Sequence, residues 1–131
     1  MAGTIDISLS RVPAINILEP TTGEHRSHVV SAVISILKTI WPDSWGPRTE
    51  YILSNAVFAL LEQPQPVTLL ALPKLLTDNQ YRQTILKSVT DPTVRSFFHT
   101  YDNQWPNRFR EEAIAPVLNK VYKFKIGRAH V

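Results

Sequence analysis

Two histidines, His25 and His28, stand three apart in the run Glu24-His25-Arg26-Ser27-His28, a spacing that could offer both imidazoles to one metal ion from the first turn of a helix. A zincin needs His-Glu-x-x-His, with the second histidine four residues on and the glutamate between, and no third ligand is evident in the sequence. The pair therefore reads as a polar helix start, and no metal ligand is assigned. Glu24, His25 and Ser27 also fail as a catalytic triad, because neighbours on a helix do not converge and no Gly-x-Ser-x-Gly elbow exists. Glu111 and Glu112 beside Arg108 and Arg110 form a charge cluster at the start of a helix, where acids complement the helix dipole and face solvent. The chain has four glycines, none in a Gly-x-x-x-x-Gly-Lys-Ser/Thr loop, so no phosphate cradle, catalytic residue or cofactor site is assigned within it.

These residues need a scaffold, and 131 residues with 44% hydrophobic content suit one domain with a modest core. No apolar run reaches the about 20 residues that span a bilayer, and the first residues do not read as a signal sequence. The absence of cysteine removes disulfides and thiolate metal sites and fits a cytoplasmic setting. The sequence pI of about 9.4 suggests nucleic acid, but the 14 basic residues face 11 acidic ones and are scattered rather than striped, where an electrostatic footprint would cluster them. Residues 125–131, Lys-Ile-Gly-Arg-Ala-His-Val, break the preceding pattern and resemble a translated sequencing adapter. Setting them aside leaves 12 basic against 11 acidic residues, a formal charge of +1.

The expected scaffold is a mainly α bundle of about five to six helices with a short extended N-terminal segment. Residues 4–9 alternate Ile5, Ile7 and Leu9 with polar residues, as a half-buried edge strand does, and 12–18 form a second extended piece. Thr21 and Glu24 make a capping-box signature. The following helix carries two adjacent apolar stripes, Val29, Val33, Ile36 and Ile40 beside Val30, Ile34, Leu37 and Trp41, wide enough to place it at the bundle's centre. Trp41-Pro42-Asp43-Ser44-Trp45-Gly46-Pro47-Arg48 then forms a turn whose tryptophans pin the connection, and whose prolines end one helix and start the next. Gly46→Val and Trp45→Ala are both expected to destabilise it. A partner helix over 47–62 follows, with Tyr51, Ile52, Leu53, Ala56, Val57 and Leu60 among its apolar positions.

Gln63-Pro64-Gln65-Pro66 reads as an extended connector. Thr68 is placed to cap a short helix over 69–76, kinked or interrupted at Pro73. A capping box begun at Thr77 and the Asp91-Pro92 start open two more helices. Trp105-Pro106 opens the last, over 107–124, with a kink at Pro116.

The string Ile40-Trp41-Pro42-Asp43-Ser44-Trp45-Gly46-Pro47-Arg48-Thr49-Glu50-Tyr51-Ile52-Leu53-Ser54-Asn55-Ala56 resembles a recurring segment of HerA/FtsK-like P-loop motor ATPases, in particular type IV secretion coupling proteins of the TraG/TraD kind. Asn16-Ile17-Leu18-Glu19 with Gly23-Glu24-His25, Leu75-Leu76-Thr77-Asp78, Asp91-Pro92-Thr93-Val94-Arg95-Ser96-Phe97 and Phe109-Arg110-Glu111-Glu112-Ala113-Ile114-Ala115-Pro116-Val117-Leu118-Asn119-Lys120-Val121 resemble further blocks of that family in the same order, over about residues 5–124. The resemblance implies a helical subdomain inserted in a P-loop ATPase. Residues 1–20 would then be an extended segment from the edge of the ATPase core, 21–124 the helical subdomain and 125–131 non-native read-through. It implies a hexameric parent that binds ATP and Mg²⁺ and moves DNA at the cytoplasmic face of the inner membrane, with secretion or relaxosome proteins as partners. Walker A and Walker B would lie outside this chain, which would itself be inactive. Arg48, Arg108, Arg110, Lys120 and Lys123 are the candidate contacts to DNA or a partner. The competing expectation is a stand-alone helical protein–protein adaptor with no catalytic activity.

Overall fold

A computed structural model of the chain describes residues 17–18, 24–43 and 45–130, with side chains over 25–43 and 45–121. In chain order the elements are β1 (Ile17–Leu18), α1 (Glu24–Ile40), α2 (Pro47–Leu61), β2 (Val67–Thr68), α3 (Ala71–Thr77), α4 (Asn79–Leu86), α5 (Pro92–Asn103) and α6 (Asn107–His130). The architecture is the expected mainly helical bundle. β1 and β2 form one short antiparallel ladder, Ile17 opposite Thr68 and Leu18 opposite Val67, which ties the N-terminal chain to the α2–α3 connection. The expected strand over 4–9, the capping Thr21 and Ser44 of the turn lie outside the described residues.

α2 occupies the centre, packing on α1, α3, α4, α5 and α6. The expectation had placed α1 there. On α1 the second stripe holds, with Val30, Ile34 and Leu37 buried and Val33 beside them, whereas Ile36 is exposed and Val29 and Ile40 are only partly covered. α2 instead buries Ile52, Leu53, Ala56, Val57, Ala59, Leu60 and Leu61. Ala56 and Ala59 give it small surfaces that neighbours can approach closely, so it can be surrounded without overpacking. Burying apolar area at about 25 cal/mol per Å² favours this placement for the helix with the most continuous apolar sequence.

α1 and α2 run antiparallel, as their ion pairs require. Lys38 near the end of α1 meets Glu50 near the start of α2 at 2.6 Å, while Arg26 near the start of α1 meets Glu62 just past the end of α2 at 3.3 Å. The turn between them is fastened by the Trp45 indole N–H, which donates to the Trp41 carbonyl, and Pro47 takes the first position of α2, where a missing N–H costs nothing. Gly46 has an extended backbone (φ −137°, ψ 168°) and open space where a side chain would stand. That removes the expected reason for Gly46→Val to destabilise, since any L-residue adopts this conformation. Thermal denaturation should find Gly46→Val within about 0.5 kcal/mol of the parent. Trp45 is partly buried rather than enclosed, so Trp45→Ala should cost about 1–2 kcal/mol, less than full burial would imply.

The later starts differ from expectation in detail. Thr68 accepts from the Leu70 amide at 3.2 Å, before α3 begins, and Pro73 lies in the first turn of α3, where no intrahelical donor is lost and the helix is not interrupted. Asp78, not Thr77, caps α4 by accepting from the Tyr81 amide at 3.1 Å, while the Thr77 hydroxyl turns back to the Pro73 carbonyl at 2.7 Å. Asp91 caps α5 through the Thr93 and Val94 amides at 2.9 and 3.1 Å, and Pro92 follows as expected. α6 continues through Pro116 and past Phe124 to His130. Its buried side chains include Ala113, Ile114, Val117 and Val121.

Candidate functional site

α5 and the start of α6 carry a run of aromatic rings. Phe97 meets Tyr51 edge-on at 5.1 Å, Phe98 at 4.8 Å and Trp105 at 5.9 Å, and Trp105 meets Phe109 at 4.9 Å. The rings stand at helical spacing on α5 because Phe97, Phe98 and Tyr101 share its inner face. Edge-to-face contacts of this kind add to their area burial. They also provide flat surfaces for cations, and that is where two of the candidate contact residues are found.

Arg48 lies over the Phe109 ring at 5.2 Å and is exposed. Arg110 lies over Tyr101 at 5.4 Å, is 3.9 Å from Asp102 and donates to Asn107. Arg108 is solvent-exposed and pairs with Glu112 one turn on at 3.6 Å. Lys120 is only 8% exposed and stands 5.8 Å from the Trp45 ring, so it is placed as part of the packing rather than on an outer face. The side chain of Lys123 lies outside the described residues. The fold therefore brings Arg48 to the start of α6, near Arg108 and Arg110, and sets Lys120 apart beside Trp45. His25 and His28 are both exposed on α1, and among the described residues no group of three or more His, Asp or Glu is placed to hold a metal ion.

Two buried charged centres were not anticipated. Glu62 accepts from the Thr90 amide at 3.0 Å, the Thr90 hydroxyl at 2.8 Å and the Asp91 amide at 3.3 Å, besides its ion pair with Arg26. It thus joins α1, the end of α2 and the α4–α5 turn. Arg82 donates to Asp102 at 2.8 Å, the Leu75 carbonyl at 2.9 Å and Asn79 at 3.3 Å, and lies 5.1 Å from the Tyr101 ring. A hint of each exists in the sequence. Glu62 is an acid at a helix C-terminus, where the dipole disfavours it without compensating donors, and Arg82 falls on the same helical stripe as Ile85.

Arg82, Arg110, Tyr101, Asp102 and Asn79 line a cavity of about 350 Å³. Its polarity is internally balanced: both arginines address Asp102, and the Tyr101 hydroxyl donates to the Leu76 carbonyl at 2.6 Å. Burial pushes the Tyr101 phenol above its ordinary value of 10.0, Arg82 and Arg110 pull it down, and Asp102 raises it. Because the folded value exceeds the unfolded one, this contribution is fully present below about pH 10 and is lost as pH rises through the folded value. Stability should therefore fall in the alkaline range, and Tyr101→Phe should blunt that fall while removing one hydrogen bond, about 1 kcal/mol at neutral pH. Tyr81, also raised by burial, would keep a residual slope. Chemical denaturation from pH 7 to 11 checks both statements.

No helix of the described residues is long and apolar enough to cross a membrane. Comparison of the chain with family models, characterised proteins and solved structures finds no match.

Proposed function

We propose that this chain is the helical subdomain of a DNA-translocating P-loop ATPase of conjugation or type IV secretion, of the TraG/TraD coupling-protein kind. The observation that carries the reading is the order and position of the resembling blocks. The Ile40 to Ala56 block runs from the end of α1 through the turn and over most of the central helix, the Asp91 block starts α5, and the Phe109 to Val121 block is the part of α6 that supplies Ala113, Ile114, Val117 and Val121 to the core. The resemblance thus falls on the residues that make the bundle cohere. In the full-length motor, ATP and Mg²⁺ would bind outside this segment. Six copies around a ring would present Arg48, Arg108 and Arg110 repeatedly to DNA or to secretion and relaxosome proteins.

Extending the reading frame at its genomic locus tests the reading. A phosphate-binding Gly-Lys-Ser/Thr loop upstream and an acidic Walker B strand downstream are expected. A true start at Met1 with a stop directly after Phe124 would overturn it in favour of a stand-alone helical adaptor. The isolated chain, with nearly balanced charge, should bind DNA no better than about 10⁻⁴ M at physiological salt. Anisotropy of labelled single- and double-stranded DNA over a salt series checks this, and sub-micromolar binding would show that no ring is needed.

A further inference from the structure

Arg82, Arg110 and Glu111 line the same cavity of about 350 Å³, between the α3–α4 turn, the end of α5 and the start of α6. The carboxylate that both arginines address is Asp102. Glu111 is exposed, and its side chain has neither an ion pair nor a hydrogen bond among the described residues. Its neighbour Arg110 does not supply one, because adjacent residues on a helix do not face each other. One cavity thus carries opposite charges that do not meet: arginines at its covered end and an unengaged acid at its mouth.

The covered end has donors in surplus. A guanidinium carries five N–H groups. In Arg82, which is 3% exposed, three of them are taken up by Asp102, the Leu75 carbonyl and Asn79, which leaves two without an acceptor among the described residues. Covered donors of this kind call for an acceptor from water or a ligand. Arg110 donates to Asn107 and stands 3.9 Å from Asp102, beyond hydrogen-bond reach, so it too has donors to offer. Both guanidinium groups are held over the Tyr101 ring, at 5.1 and 5.4 Å, which fixes them before anything binds.

The remaining wall is apolar where Leu76 and Ile114 line it, and the space is at the small end of the about 300–1,000 Å³ that ligand sites occupy. A simple anion would suit the arginines and set a like charge against Glu111. A simple cation would have the reverse fault. A small molecule that carries both charges and an apolar group satisfies acid, arginines and wall together. We propose that this cavity binds a free α-amino acid with an apolar side chain, its carboxylate on Arg82 and Arg110, its ammonium on Glu111 and its side chain against Leu76 and Ile114. The inference goes beyond the motor reading and does not rest on it, because the cavity is formed within one copy of the bundle.

Titration calorimetry of the whole chain with L-leucine, L-valine and L-phenylalanine tests this, each beside its des-amino acid and its amide, which lack the ammonium and the carboxylate. At least one of the amino acids should bind saturably with Kd below about 1 mM, and both of its comparators at least tenfold more weakly. Glu111→Gln should weaken the amino acid about tenfold and erase its preference over the des-amino acid. Arg110→Gln should weaken it by a similar factor and leave that preference in place. Arg82 is kept, since the fold depends on it. Circular dichroism verifies that each variant is folded, and Glu111→Gln, an exposed change, decides the question if Arg110→Gln is not. No saturable binding below about 1 mM, a des-amino acid that binds as well as its amino acid, or indifference to Glu111→Gln would overturn the proposal. So would tighter binding of inorganic phosphate that is abolished by Arg110→Gln, which would make the cavity an anion site.

Discussion

Glu62→Ala should destabilise the fold by about 3–4 kcal/mol, among the largest effects of any single substitution outside the apolar core. The Glu62 side chain is 1% exposed, and its carboxylate accepts from the Thr90 amide, the Thr90 hydroxyl and the Asp91 amide while facing Arg26. Removing it leaves the Thr90 and Asp91 amides, both aimed at the carboxylate, without their acceptor, and losing the acceptor of a partly buried donor costs more than the hydrogen bond itself contributes. In a domain of this size the loss corresponds to a fall of about 10 °C in melting temperature. Thr90→Val removes one donor and leaves the carboxylate its other partners, so it should cost about 1 kcal/mol. A local readout separates this clamp from general loosening: amide exchange at Thr90 and Asp91 should accelerate in Glu62→Ala before that of the α2 core. A melting temperature within 3 °C of the parent would show that the turn does not depend on Glu62.

That clamp marks where the sequence stopped being informative. Helix starts were legible because their signals are local: Asp91 followed by Pro92 states both the cap and the first-turn residue, and the structure uses both. Apolar periodicity located α1 and α2, but it could not rank them. Which helix is surrounded depends on how many neighbours arrive, so the centre fell to α2, whose Ala56 and Ala59 permit close approach on more than one side. Thr77 and Asp78 show a finer limit, since both can cap and only the turn geometry decides between them. Among the candidate contacts, Arg48 and Lys120 are both single basic residues in the sequence, yet one is exposed over the Phe109 ring and the other is covered beside Trp45. Glu62 and Thr90 are 28 residues apart, and no spacing rule connects them.

Arg82→Met should cost about 3 kcal/mol, and the reason differs from that for Glu62. The Arg82 side chain is 4% exposed, and its guanidinium serves two ends at once: the Leu75 carbonyl in α3 and the Asp102 carboxylate in α5. Methionine can refill much of the volume against Tyr101, so the loss is electrostatic, an acid and a carbonyl left without their main donor. Asp102 keeps Gln83 at 3.0 Å and the more distant Arg110, which limits the damage and keeps the estimate at the low end for a broken buried pair. Removing both charges should then be less harmful than the sum of the single changes. Arg82→Met with Asp102→Leu is expected to recover about 1.5–2 kcal/mol in a double-mutant cycle. Because the pair is shielded, that coupling should change little between 0.05 and about 1 M salt, where a surface pair such as Arg108 with Glu112 would be screened away. Additivity within about 0.5 kcal/mol, or a coupling erased by salt, would place the contribution of Arg82 in its packing against Tyr101 rather than in its charge.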